Sequence, residues 1–277
     1  MASGTLQIDF LGSGSAGNAT LLRCADQQIL IDAGFDAATL SERLEQVGSS
    51  PAEITDLLIT HLHDDHVIGA AALAANEQLR IYGLAPAIKR ASVRGNGWRR
   101  HYLSAGQVVD LGACRLWPFA VPHDSRGGAL GFRIETPCGE RLGFATDIGA
   151  ITAEVIKALS GCTILAIEAN HDRERLWAGP YPQFLKHRIA SQRGHLSNAD
   201  AARLLRRVLS PALRAVYAIH LSETNNCPKL VRDALSKVLP TTIGLQIVEQ
   251  HRVQRYPPAA QQLPLFAACT SRAASGA

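Results

Sequence analysis

The sequence predicts an α/β fold in which two β-sheets pack face to face with helices outside. Two observations predict it. Short apolar runs of strand length alternate with segments of helical period, and several of those runs end directly on a histidine or an aspartate. In chain order, residues 6–11, 19–24, 28–31, 56–60, 79–82, 114–120, 130–136 and 141–145 read as strands in the first half. Helices are expected over 37–47, 67–76 and the segment after Asp147. Residues 163–167 and 215–219 read as further strands, and 246–256 as a last one. The clearest single element is a helix over 199–209, where Ala201, Leu204, Leu205, Val208 and Leu209 share one face and Arg203, Arg206 and Arg207 lie largely opposite. Ser197 or Asn198 supplies its cap, since a short polar side chain accepts from the orphan amides of a first turn.

Composition fits one sizeable core: 277 residues, 47% hydrophobic, 19% charged. The organisation expected is one domain over 1–257 and a loosely ordered Ala- and Ser-rich tail over 258–277. The longest apolar runs are strand-length, too short for a membrane span, and the N-terminus lacks a basic segment followed by an apolar one. Cytoplasmic location is the default expectation. The six cysteines are scattered, with no Cys-x-x-Cys pair, which suits a reducing compartment.

The run Thr60-His61-Leu62-His63-Asp64-Asp65-His66 follows Leu57-Leu58-Ile59 and concentrates four metal-capable side chains, His61, His63, Asp65 and His66, at one strand end. In extended chain His61 and His63 point the same way, and Asp65 and His66 follow where the chain turns, so one loop can address two adjacent ions. Imidazole and carboxylate suit Zn, Mn or Fe. His123, Asp147 and His220 each stand just past another apolar run, where ligands collect on layered α/β scaffolds. Taken singly, each also has a bland reading, as a turn, cap or core residue.

Asp32 after Ile29-Leu30-Ile31, the His-x-His-x-Asp-His loop, then His123, Asp147 and His220 in that order resemble the five motifs of the metallo-β-lactamase superfamily. Gly12-Ser13-Gly14-Ser15-Ala16-Gly17-Asn18, Gly194-His195-Leu196-Ser197-Asn198, and His220-Leu221-Ser222 with Asn225-Asn226 are most similar to its YycJ (WalJ) nuclease-like branch. The resemblance implies the four-layer αββα sandwich. It also implies one divalent ion on His61, His63 and His123, a second on Asp65, His66 and His220, and Asp147 bridging them. Asp32 is then an orienting group behind the ligands. The stretch of about seventy residues between Asp147 and His220 is too short for the extra domain that β-CASP nucleases carry.

The activity implied is that of a binuclear-metal phosphodiesterase, most simply a DNA or RNA exonuclease in which a hydroxide shared by the two metals is the nucleophile. Asp65 and His195 are the catalytic candidates, His195 as general acid at the leaving oxygen. Glu168 is a candidate to orient His195 or bind metal-bound water, with a turn or helix-terminal role equally open; His171 and Asp172 rank just below it. Two stretches mix cations with aromatics and suit a single-stranded nucleic-acid path: 89–102, with Lys89, Arg90, Arg94, Trp98, Arg99, Arg100 and Tyr102, and 173–193, with Arg175, Trp177, Tyr181, Phe184, Lys186, His187 and Arg188. A solvated face is the competing reading. The alternatives in function are a small-molecule hydrolase of phosphodiesters or glyoxalase-type thioesters, and a non-hydrolytic binding or di-iron redox protein. The redox form is disfavoured by His63, where such proteins commonly place a carboxylate. Gly12-Ser13-Gly14-Ser15-Ala16-Gly17 also satisfies the dinucleotide fingerprint, but residues 18–24 read as a strand, so the motif is taken as a hairpin turn.

Overall fold

The computed structural model describes residues 6–92 and 97–257. The expected tail at 258–277 lies outside the described residues, as do positions 93–96 of the first basic stretch, Arg94 among them. In chain order the strands are β1 (Gln7–Gly12), β2 (Ala19–Cys24), β3 (Gln27–Ile31), β4 (Asp56–Leu58), β5 (Arg80–Gly83), β6 (Arg99–Tyr102), β7 (Val109–Asp110), β8 (Arg115–Val121), β9 (Ala129–Glu135), β10 (Arg141–Ala145), β11 (Ile164–Glu168), β12 (Ala215–Ile219), β13 (Gly244–Ile247) and β14 (Gln254–Tyr256). They form two mixed seven-stranded sheets, ordered β14-β1-β2-β3-β4-β5-β6 and β13-β12-β11-β10-β9-β8-β7.

The strands carry apolar side chains on both faces because each sheet is covered on both. Ile8, Phe10, Leu22, Ile29 and Ile31 of one sheet meet Leu116, Phe132, Ile134, Phe144 and Tyr217 of the other in the central layer. The rings of Phe10 and Tyr217 pack at 4.6 Å across it, an aromatic contact contributing about 1 kcal/mol beyond burial. Outside the first sheet lie α1 (Ala37–Gln46), which inserts Leu40 and Leu44, and α3 (Ala85–Ala91), which inserts Ala87 and Ile88. Outside the second lie α4 (Ala153–Leu159), α7 (Asn198–Val208) and α8 (Pro228–Leu235), contributing Val155, Leu204, Leu205, Val231 and Leu235. The expected αββα sandwich is therefore the observed architecture. Among the described residues no helix is long and apolar enough to cross a membrane.

Two expected elements differ, and the helices α3 and α8 and the strands β6 and β7 lie where no element is expected. The last expected strand is two, β13 beside β12 and β14 beside β1, because the chain crosses between sheets around Gln250, whose side chain bonds the amide of Ala16 and the carbonyl of Gly17. The expected helix at 67–76 is a short turn of α-helix, α2 (Asp64–Val67), followed by a 3-10 segment, Ile68–Leu73. There the amide of Gly69 bonds Ala33 at 2.7 Å, drawing the backbone onto the metal-motif side of the first sheet. The second basic stretch contains two unforeseen helices, α5 (Arg173–Ala178) and α6 (Gln183–Ile189). Ser197 caps α7, accepting from the amide of Asp200.

Candidate metal centre

The candidate ligands gather beyond the carboxyl ends of strands, on one edge of the sandwich, with Asp65 and His66 in the short helix α2. Asp32 follows β3, His61 follows β4, His123 follows β8, Asp147 follows β10, Glu168 ends β11 and His220 follows β12. Asp32, Asp147 and His220 are non-glycine residues with φ near +60° (60°, 55° and 57°), a conformation that L-residues adopt only at a cost. The strain sits where the strand ends turn inward.

The loop from His61 to His66 is clamped at its far end. The amide of Asn18 bonds the carbonyl of Asp65 at 2.9 Å and that of Ala33 bonds His66 at 2.8 Å. Gly34 is required here: a Cβ on it would lie 1.7 Å from the Asp65 carbonyl oxygen. The glycine-rich turn after β1 joins a β1–β2 hairpin, as expected, and serves the site as well. Its Ser13 hydroxyl accepts from the amide of His220 at 2.9 Å and donates to Asn18 Oδ1 at 2.7 Å.

Behind the ligands, buried acceptors fix the imidazoles. His66 donates from Nδ1 to Asp32 Oδ2 (2.7 Å), and Asp32 also accepts from the amide and hydroxyl of Thr60. The Thr60 oxygen in turn accepts from His61 Nδ1 (3.1 Å), and the Gly194 carbonyl accepts from His123 Nδ1 (3.1 Å). Glu168, wholly buried, accepts four times: at Oε1 from Nδ1 of His195 (2.8 Å) and of His220 (2.9 Å), and at Oε2 from the amides of Ile148 (2.8 Å) and Leu196 (2.9 Å).

With their outer nitrogens so engaged, the inner ones converge. His61 Nε2 lies 3.0 Å and His123 Nε2 3.3 Å from His63 Nδ1. His66 Nε2 and His220 Nε2 lie 3.5 and 3.6 Å from Asp65 Oδ2. Between the two clusters, Asp147 presents Oδ2 to His66 (3.3 Å) and Oδ1 to His123 and His220 (3.6 Å each). Donor atoms of His61, His63 and His123, and separately those of Asp65, His66 and His220, all lie within 4.8 Å of one another.

Divalent ions fit this arrangement on three counts. His61 and His123 turn lone pairs toward His63, whose single proton could satisfy only one of them. His220 Nε2 is buried without a hydrogen-bond partner. Finally, the ion-pair partners of Asp32, Asp65, Asp147 and Glu168 among the described residues are all histidines, with no lysine or arginine. A largely buried group of carboxylates with only imidazoles for company suits added cations.

Electrostatics divide the clusters. Burial holds His61 well below the usual histidine range and lowers His63 and His123, so these three are neutral donors. Burial also opposes charge on His66 and His220, but Asp65, Asp32 and Asp147 raise His66 well above that range, and Asp147, Asp65 and Glu168 carry His220 up to about 10. Asp65 and Asp147 are held low against burial, Asp65 by His66 and His220, Asp147 by His220, His66 and His61.

His195 lies at the rim, its Nδ1 3.4 Å from Asp147 as well as bonded to Glu168. A cavity of about 240 Å³ opens over the centre, walled by Tyr181, Leu185, Arg188, Ile189 and Arg193 of the second basic stretch. Of the lower-ranked candidates, Asp172 caps α5 and His171 is buried, its backbone bridged to Ser197; Asp64, within the metal motif, is exposed and pairs with Arg90. Thr60, Ser13 and Asn18 are contributors whose roles the sequence does not show, though all three lie in the His-rich run or the glycine-rich motif.

Residues 27–221 match the beta-lactamase superfamily domain. Over 237 residues, 84% of this chain and 89% of the relative, the sequence is 30% identical to exodeoxyribonuclease YycJ of Bacillus anthracis. Over 229 residues, 81% and 84% respectively, it is 31% identical to exodeoxyribonuclease WalJ of Streptococcus pneumoniae serotype 2. The fold is similar to that of the metallo-β-lactamase fold protein YhfI from Bacillus subtilis, with a TM-score of 0.70 at 16% identity over 90% of this chain and 98% of that one. The chain belongs to the metallo-β-lactamase superfamily and is a metal-dependent hydrolase of that fold, with distant kinship to the YycJ and WalJ exodeoxyribonucleases.

Proposed function

We propose that this chain is a binuclear-metal-dependent phosphodiesterase that removes nucleotides from the ends of DNA or RNA. The observation that carries the reading is the pairing of a three-histidine cluster and a histidine–carboxylate cluster around Asp147, with a further histidine, His195, held at their rim by Glu168. The names of the two relatives at 30% and 31% identity support nuclease chemistry in particular.

His61, His63 and His123 would hold one ion and Asp65, His66 and His220 the other, with Asp147 between them; Zn and Mn both suit this nitrogen and oxygen set. When bound, such a pair supplies Lewis acidity, acidifying water and neutralising charge on a phosphate. The chain's own groups do the rest. Asp65 stays ionised and holds its place beside His66 and His220. Glu168 accepts from Nδ1–H of His195, so His195 acts as the general acid in its imidazolium form, giving the Nε2 proton to the leaving oxygen and keeping the Nδ1 proton on Glu168, a contribution of about 10² to 10⁴ in rate. Arg188 and Arg193 pair with phosphate oxygens at the cavity wall, and the Tyr181 ring offers a stacking face.

The modest volume of the cavity, about 240 Å³, favours a second reading in which a small diester or thioester is the substrate. End-labelled single-stranded and duplex DNA and RNA, assayed beside bis-p-nitrophenyl phosphate with metal-loaded wild type and His195→Ala, separate the two. Progressive, salt-sensitive loss of label that weakens in the variant is the expected result. Turnover of the small diester alone would replace the nuclease by a metabolite phosphodiesterase.

A further inference from the structure

We propose that the groove beside the metal loop, lined by Leu62, Ala85, Pro86, Lys89, Arg90 and Arg126, is a track for the backbone of a single nucleic-acid strand, several nucleotides from the bond that is cut. The inference rests on the nuclease reading and extends it from the reacting nucleotide to the polymer.

At about 540 Å³ the groove is more than twice the size of the cavity over the metal centre, at about 240 Å³. Its floor is apolar, made by Leu62, Ala85 and Pro86, and its cations, Lys89, Arg90 and Arg126, are exposed. That combination matches a single strand, whose sugars and bases seek apolar surface while its phosphates seek cations. Lys89 and Arg126 make no ion pair among the described residues. Among the described residues Arg90 pairs only with Asp64, at 2.5 Å between side chains 51% and 63% exposed, a contact weak enough to exchange for a phosphate.

Arg126 is held in place by the architecture of the metal centre. The loop that carries it is tied at one end by the amide of Asp124 to the Arg193 carbonyl (2.9 Å) and at the other by the amide of Leu130 to the Thr60 carbonyl (3.0 Å). Gly127, with φ of +91°, lets the loop close onto α3, since a Cβ there would come within 2.5 Å of the Pro86 ring. Leu62 stands between His61 and His63 in the chain, so the metal loop itself supplies part of the groove's lining. Arg188 and Arg193 line the cavity over the metals. Cations thus serve both the groove and the cavity, as a strand running across the centre would need and a mononucleotide would not.

The test compares wild type with Lys89→Glu/Arg126→Glu on metal-loaded protein, using end-labelled single strands of about three and about twelve nucleotides, and bis-p-nitrophenyl phosphate, across a salt series. The expected result is a KM for the longer strand raised about tenfold, and a log–log salt slope shallower by about 1.4, from two lost phosphate contacts at about 0.7 each. Turnover of the shortest strand and of the small diester stays within about twofold. If small-diester turnover falls too, the charge-neutral Lys89→Gln/Arg126→Gln pair, which conserves side-chain bulk, is scored by the same criteria. A wild type that degrades the longer strand with a KM and salt slope shared by the variants overturns the groove alone. A wild type that cleaves no oligonucleotide overturns the nuclease reading together with it.

Discussion

Glu168 Oε1 lies 2.8 Å from Nδ1 of His195, and the same oxygen accepts from His220. One buried carboxylate therefore orients both a metal-binding candidate and the proton-donor candidate. Glu168→Gln keeps the shape but presents an amide where a charge stood. A fall in kcat of about 10- to 100-fold is expected, together with a change in the pH profile of kcat that a purely structural role would not produce. Unchanged kcat on a small diester would remove Glu168 from the mechanism.

Asp32 does for His66 what Glu168 does for His220, and it touches no other candidate ligand. Asp32→Asn should weaken retention of one ion about 10- to 100-fold while the His61, His63 and His123 cluster keeps its own. Metal content by mass spectrometry, after dialysis against graded chelator, gives the measure: stepwise loss in the variant against later loss in the wild type.

Replacing His63 or Asp147 by alanine should abolish metal-dependent turnover, because one removes a donor from the first cluster and the other the carboxylate between the clusters. Turnover at the wild-type rate in either variant, with metal content measured on the same sample, would contradict the assignment.

Gly34→Ala places a methyl group against the Asp65 carbonyl, in a loop that has no slack. The loop must shift, at about 1 to 3 kcal/mol. A lowered melting temperature accompanied by loss of metal is expected; a methyl accommodated with no change in either would mean that the contact is softer than its geometry.

His171 supplies a pH dependence of stability. Burial pushes its imidazole down to about 4 from an ordinary value of 6.5. The unfolded chain therefore takes up a proton between those values that the folded chain refuses. The contribution is complete above pH 6.5 and is lost as pH falls through about 4, a total of about 3 kcal/mol. Denaturant titrations of wild type and His171→Gln should differ in slope by up to about 1.4 kcal/mol per pH unit near pH 5 and run parallel above pH 7.

The ligand candidates were legible in the sequence because histidines and aspartates at strand ends have few structural reasons to recur, and their order carried the family resemblance. What joins them was less legible. Glu168 ends an apolar run and could equally have closed a turn; only the docking of His195 and His220 on one oxygen distinguishes the roles. Asn18 and Thr60 act through backbone and hydroxyl contacts to residues distant in sequence, a relation that no local pattern encodes. In the fold, α7 was legible from its strong amphipathic face, whereas α5 and α6 are short and mix their apolar and cationic residues. Residues 246–256 read as one strand because nothing local announces that the chain changes sheets at Gln250.

Asp32 and the His61–His66 loop come from one sheet, and His123, Asp147, Glu168 and His220 from the other. Neither half of the polypeptide owns a complete set of donors for the two ions. The donor set comes together only when the sheets dock, so two ions held as proposed would be captured late in folding. They would then rivet the two halves along the edge where the buried carboxylates would otherwise push them apart.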